Sequence, residues 1–151
     1  LMRSSAASDV YKRQHQDIEK LCTEYSIPVI LHSSPYRNDM IRLGLDTIGS
    51  YIDRCAFIPS DQPLIKTESI ASLLLCAQNE PSYIWRTCYD KTPGSPVIFP
   101  KEYFDELMSL PQGKGGNVVV HRHESQVRQL PVTNKTELMD IDTPADMARL
   151  D

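Results

Sequence analysis

Cys55-Ala56-Phe57-Ile58-Pro59-Ser60-Asp61-Gln62-Pro63-Leu64-Ile65 is the stretch whose reading decides the fold. Its apolar start reads as a short buried strand. Proline cannot donate to a ladder, so Pro59 and Pro63 end the pairing and leave Asp61 at the strand's carboxyl end. Ligands of open α/β sheets bind at the carboxyl ends of strands, which makes Asp61 the first candidate for chemistry. Ser-Asp-Gln-Pro is equally an ordinary turn composition, in which Asp bonds the backbone and Pro fixes φ. A second acidic segment far downstream shifts the balance towards function.

That segment is Met139-Asp140-Ile141-Asp142-Thr143-Pro144. Its two acids stand two residues apart, on one face if the backbone is extended, just before a predicted helix. Thr143 as N-cap, Pro144 at the first helical position and Asp146 beyond it form a capping-box signature. Asp142 could simply belong to that helix start, although capping and metal binding can coexist. Asp61 and Asp142 together are what Mg²⁺ requires, since that ion binds through one or two carboxylates and completes its octahedron with water and phosphate oxygens.

Outward from these two anchors the chain reads as alternating elements. Ile18, Leu21, Cys22 and Tyr25 make one helical face, which Ser26-Ile27-Pro28 ends. Val29-Ile30-Leu31 reads as a buried strand, and Arg37 to Ile48 as a helix with Ile41, Leu45 and Ile48 inward. Thr67 is predicted to cap a further helix whose stripe is Ile70, Leu73, Leu74 and Ala77. The order α, β, α, β, α implies parallel strands with helical crossovers. Further on, the sequence predicts a strand at Ser82 to Thr87, a turn at Lys91 to Ser95, and a short strand at Pro96 to Phe99. After these come a helix from Lys101 to Met108, a Gly-rich loop at Gln112 to Gly116, and strands at Val118 to Val120 and Gln126 to Val132.

The 151 residues suit one domain, and the formal net charge of −4 with no basic cluster argues against a nucleic-acid partner. No apolar run approaches the length of a membrane span and no secretory h-region opens the chain, so a cytoplasmic location is expected. Cys22, Cys55, Cys76 and Cys88 are irregularly spaced without a C-x-x-C pair, and read as reduced core thiols. Residues 1–14 read as a foreign leader, because Asp9 to Gln14 resembles a translated transposase-adapter end from sequencing-library preparation. Without that leader the net charge of residues 15–151 is −6, since Arg3, Lys12, Arg13 and Asp9 are removed.

Residues 15–151 resemble the C-terminal two-thirds of the MobA-like NTP-transferase superfamily, and within it the molybdenum cofactor cytidylyltransferase group. Three motifs carry the resemblance, in order. Ser60-Asp61-Gln62-Pro63-Leu64 is similar to the family's Gly-Asp-Gln-Pro-Leu, and Pro93-Gly94-Ser95-Pro96-Val97-Ile98-Phe99 to its Gly-Asn-Pro-Val-Leu-Phe. Asp140-Ile141-Asp142-Thr143-Pro144-Ala145-Asp146 is similar to its Asp-Val-Asp-Thr-Pro-Glu-Asp. Arg42-Leu43-Gly44-Leu45 resembles the family's Arg-x-Gly-Leu helix. Ser60 replaces a glycine, Met40 stands where a serine is usual, and Gly113-Lys114 lacks the acid of the family's Gly-Asp.

The resemblance implies a three-layer, Rossmann-like α/β nucleotidyltransferase fold with a mostly parallel, mixed sheet. It implies that the family's first strand and triphosphate-cradling Gly-rich loop are missing, so that residues 15–151 alone would be inactive. Asp61 and Asp142 would be catalytic and hold Mg²⁺, with Asp140 as a further ligand. Arg42, Gln62 and Pro63 would bind the nucleotide, and Gly94, Ser95 and Pro96 would line the acceptor side. The implied reaction transfers CMP from CTP to the phosphate of molybdopterin and releases pyrophosphate. The alternatives are GTP or ATP as donor, a sugar-phosphate acceptor, or a non-catalytic remnant that binds a nucleotide or a protein.

Other features are weaker. Gly113-Lys114-Gly115-Gly116 is no Walker loop, because Gly115 stands where Ser or Thr must reach Mg²⁺. His121 and His123 share a predicted strand face but lack a third ligand, and read as solvated. Tyr83, Trp85 and Tyr89 read as strand packing, since a nucleic-acid groove would need basic surroundings.

Overall fold

The computed structural model describes residues 16–148, so residues 1–15, which include the expected leader, and residues 149–151 lie outside the described residues. The chain divides into two compact units, Leu1–Ser34 and Pro35–Asp151. In the first, residues 16–24 form helix α1. It ends in a Schellman arrangement: Ile27 N–H donates to Cys22 O and Ser26 N–H to Thr23 O, with Ser26 left-handed at φ 56°. The predicted apolar face formed but is not buried, because Ile18, Leu21 and Tyr25 are each more than half exposed. The strand expected at Val29-Ile30-Leu31 is absent. Those residues have no ladder partner among the described residues and stay exposed, because hydrophobicity makes a strand only where an edge is offered to it.

The second unit is built on four strands: β1 (Arg54–Phe57), β2 (Ile84–Tyr89), β3 (Thr92–Pro100) and β4 (Val127–Pro131). Their order is β1-β3-β2-β4. β3 pairs antiparallel with both neighbours and β2 pairs parallel with β4, so β1, β2 and β4 run one way and β3 alone runs back. The mixed, mostly co-directional sheet matches the sequence expectation. β1 lies at the edge and is half-buried, where a buried strand was expected.

Helices cover both faces, giving three layers. On one face, α2 (Arg37–Ile48), α4 (Phe104–Met108) and α5 (Asn117–Arg122) pack on Ile84, Val97 and Phe99 through Leu45, Phe104, Leu107 and Val119. On the other, Leu73 and Ala77 of α3 (Thr67–Asn79) meet Ile98, Trp85 and Ala56. Successive β3 residues thus alternate between faces, as a pleated strand requires. Burying a side chain such as Phe99 or Leu107 contributes about 1.5–3 kcal/mol.

Helix α2 has the predicted bounds, but Ile48 is exposed, as is Leu74 of α3, so both core stripes are narrower than predicted. Thr67 is the first residue of α3 rather than its cap; Lys66 holds the N-cap position with no side-chain capping bond. The hairpin turn is Asp90-Lys91, with Asp90 at φ 54°, so β3 begins at Thr92 and not Pro96. Val118 to Val120 is helical: α5 buries Val119 and Val120 on adjacent sides, which a strand could not do against one face. Among the described residues, no helix is long and apolar enough to cross a membrane.

Candidate functional site

Two short segments meet at the end of β1. After Phe57 the chain turns at Ser60-Asp61, leaving Asp61 exposed and Gln62 buried at 9% exposure. The second segment runs from a 3-10 turn, Lys135–Leu138, through Asp140 to Asp142. Ile141 N–H donates to the Asp61 carbonyl oxygen at 2.8 Å. The Gln62 amide Nε2 donates to Asp140 Oδ1 at 2.8 Å and reaches the Leu138 carbonyl oxygen at 3.5 Å. Asp140 and Asp142 are exposed on either side of a half-buried Ile141, the alternation expected when two acids share one open face. These contacts bring Asp61, Asp140 and Asp142 into one neighbourhood.

Helix α6 (Pro144–Met147) follows at once. Its capping box is closed in both directions: Thr143 N–H and Oγ1 donate to Asp146 Oδ2 at 2.9 and 2.7 Å, and Asp146 N–H donates to Thr143 Oγ1 at 3.3 Å. Thr143 caps and Asp142 does not. The Asp61 and Asp142 carboxylates take no hydrogen bond among the described residues, which leaves both open to a ligand.

Glu137 anchors this segment from behind, and sequence reasoning missed it. Its side chain is 1% exposed and accepts bonds from Ser69 Oγ, Lys66 N–H at 3.4 Å and Thr133 Oγ1 at 3.2 Å, with Lys66 Nζ at 3.7 Å. It therefore supplies a side-chain acceptor at the start of α3, for the Lys66 N–H and the Ser69 hydroxyl. Burial alone pushes its carboxyl up, but these donors outweigh burial and hold it below the usual carboxylate range. A buried acid is the exception among charged residues, and only its distant partners Lys66 and Ser69 identify it.

The Pro93–Phe99 motif forms an irregularity in the sheet. Arg86 pairs with Val97 and Cys88 with Pro93, so Gly94, Ser95 and Pro96 all stand opposite Thr87. Pro93 and Pro96 cannot donate to a ladder, and the strand bulges there. Arg86, 8% exposed, holds the bulge with Nε and one terminal nitrogen donating to Gly94 O at 3.1 and 2.8 Å. Burial pushes its guanidinium down from the ordinary value.

The remaining candidates lie apart. Arg42 is on the exposed side of α2 and pairs with Asp39 at 3.4 Å; among the described residues no bond joins it to the three acids. Pro63 is exposed in the turn after Gln62. His121 is in α5 and contacts Glu124 at 3.4 Å, while His123 follows α5 and meets Glu106 Oε2 at 2.7 Å, so they share no strand face. Trp85 packs in the α3-side core, and Tyr83 lies under Arg128 at 3.8 Å. The four cysteines are free, and burial pushes the Cys55 and Cys88 thiols up, away from reactivity. A cavity of about 340 Å³ between α2 and α4 is lined by Leu45, Gly49 and Phe104, and by none of the three acids.

The residues present fit a hard divalent cation. Among the described residues no three of His, Cys, Asp and Glu form a ready-made cage. Mg²⁺ and Mn²⁺ need only one or two carboxylates when phosphate and water supply the rest. The donors are carboxylate oxygens, and Gln62 Oε1 beside them is buried without a partner among the described residues.

Similarity to known proteins covers most of the chain. The family model of the MobA-like NTP transferase domain matches residues 4–127, a span that includes Asp61, Gln62 and the bulge and stops short of Asp140. The match begins within residues 1–14, the stretch expected to be a foreign leader. No curated protein matches. Among solved structures, Rv0371c of Mycobacterium tuberculosis superposes with a TM-score of 0.70 at 24% identity over 82% of this chain and 64% of that one. A second structure of Rv0371c, a complex with manganese, gives 0.62 at 25% identity over 73% and 58%. A cytidylyltransferase from Leptospira borgpetersenii gives 0.70 at 19% identity over 89% and 61%. Molybdopterin-guanine dinucleotide biosynthesis protein A from Archaeoglobus fulgidus gives 0.62 at 21% identity over 89% and 72%. The chain thus spans about three-fifths of the length of the first of these structures.

Proposed function

The chain belongs to the MobA-like NTP transferase family, and on that premise we propose that the whole protein is a cytoplasmic nucleotidyltransferase that joins CMP from CTP to the phosphate of molybdopterin and releases pyrophosphate. The observation that carries the reading is the bond from Ile141 N–H to Asp61 O, which ties the two acidic motifs into one site. The cytidylyltransferase and the manganese complex among the similar structures support the choice of CTP and of a divalent cation.

In this reading Asp61 and Asp142, with Asp140 beside them, would hold Mg²⁺, which when bound neutralises charge on the phosphates. Gln62 fixes one oxygen of Asp140 and leaves the other free to face a ligand. The bulge at Gly94, Ser95 and Pro96 lines the acceptor side, and Arg42 and Pro63 contact the nucleotide. An acceptor phosphate is already ionised near neutral pH, so its oxygen attacks the α-phosphorus in line with no side-chain base, and pyrophosphate leaves with the electron pair of the broken P–O bond.

Pyrophosphate release by the whole protein, given molybdopterin and each of the four NTPs in turn, tests the reading. CTP is expected to be the preferred donor. Preference for GTP would favour molybdopterin-guanine dinucleotide biosynthesis, the role in the Archaeoglobus protein's name, and release with none of the four would overturn nucleotidyl transfer.

A further inference from the structure

The bulge and the acid loop are in contact through one residue. Gly94 faces Leu138 so closely that a Cβ at position 94 would come within 2.6 Å of Leu138 Cδ1. The carbonyl of the same Leu138 lies 3.5 Å from Gln62 Nε2, the amide that also donates to Asp140 Oδ1. Neither end of this chain of contacts is loose. Arg86 places two donors on the Gly94 carbonyl, and among the described residues no carboxylate pairs with that buried guanidinium. Glu137, next to Leu138, is held through its side chain by Ser69, Lys66 and Thr133, which anchors the segment at residue 137.

We propose that Leu138 is a positioning residue that couples the Gly94–Pro96 bulge to the acid loop, its side chain resting on Gly94 and its carbonyl sharing the Gln62 amide with Asp140. The inference rests on the reading of these two segments as the acceptor and metal sides of one site. A group arriving at the bulge then presses on Leu138, and the Gln62 amide passes that displacement to Asp140. Well-packed side chains transmit such shifts because they cannot deform continuously. Coupling of this kind carries about a 5- to 150-fold effect on affinity.

The test uses the full chain without nucleotide or acceptor. The Gln62 side-chain amide resonances are followed by NMR, and Mn²⁺ affinity by electron paramagnetic resonance, in the wild type, Gly94→Ala, Leu138→Ala and the Gly94→Ala/Leu138→Ala pair. Gly44→Ala is the control, since a Cβ there meets nothing within 4 Å. Gly94→Ala and Leu138→Ala should each move the Gln62 amide resonances, and Gly94→Ala should weaken Mn²⁺ about fivefold or more. The pair should recover most of the Mn²⁺ affinity lost in Gly94→Ala, because the shortened side chain makes room for the new methyl.

Unmoved Gln62 resonances in both single variants, or a pair no better than Gly94→Ala, would overturn the coupling. Should Gly94→Ala fail to fold, Leu138→Ala alone decides through the same resonances. A wild type that binds no Mn²⁺ would count against the metal reading instead, while the Gln62 signals still decide this inference.

Discussion

Ile141 N–H and the carbonyl oxygen of Asp61 are 2.8 Å apart, a backbone bond between residues 80 positions apart in the chain. Because the bond is made by backbone atoms, it holds the 140–142 segment beside Asp61 whatever side chains those positions carry. Substituting the acids therefore tests their chemistry without dismantling the loop.

Gln62 offers the first test of how that loop is tuned. Its buried amide orients Asp140, and outer-shell partners of metal ligands are worth about 10- to 100-fold in affinity. Gln62→Ala should weaken Mn²⁺ binding within that range, read by electron paramagnetic resonance. Unaltered affinity would remove Gln62 from the site.

Glu137 makes a prediction about pH. Its folded pKa is depressed, so the stability it contributes is fully present above the ordinary carboxylate pKa and is lost as pH falls below that value through the folded one. Glu137→Gln leaves one of several donors without its acceptor and should cost about 1–3 kcal/mol near neutral pH. Thermal melts of both proteins from pH 7 downwards should converge as the wild-type carboxyl protonates. A gap that stays constant with pH would show that charge is not what Glu137 supplies.

Asp90 tests the hairpin. At φ 54° an L residue is strained by about 1–2 kcal/mol, a strain that Asp tolerates and glycine escapes. Asp90→Gly should raise the melting temperature slightly or leave it unchanged, and Asp90→Val should lower it by several degrees. The reverse order would contradict the left-handed turn.

The parts legible in the sequence are those with a local cause. α2 has its predicted bounds because its periodic apolar positions are flanked by Pro35 and Gly49. The Thr143–Asp146 box is likewise written in four neighbouring residues. Asp61 is where a proline-stopped strand end should put an acid. What escaped depends on distant partners. Val118 to Val120 has strand composition, but three residues cannot distinguish a pleat from a helical turn, and the close approach of Phe99 and Leu107 to Gly116, which has no Cβ to obstruct them, is made by distant residues. Val29 to Leu31 has strand composition but no ladder. Glu137 and Arg86 look like surface charges until Ser69 and the Gly94 carbonyl are brought to them from elsewhere in the fold. Arg42 shows the converse: the family motif marks it, yet it shares no bond with the acids among the described residues.

The most direct test of the account is a Mn²⁺ titration of the chain, followed by electron paramagnetic resonance, in the wild type, Asp61→Asn and Asp142→Asn. One ion per chain is expected in the wild type, with affinity reduced at least about tenfold in each variant, because a carboxylate ligand replaced by an amide loses its charge. The fold should be intact in both, since neither side chain takes part in the bond from Ile141 to Asp61. Wild-type affinity retained in both variants, or no binding by the wild type, would contradict the central claim that Asp61 and Asp142 hold one divalent cation.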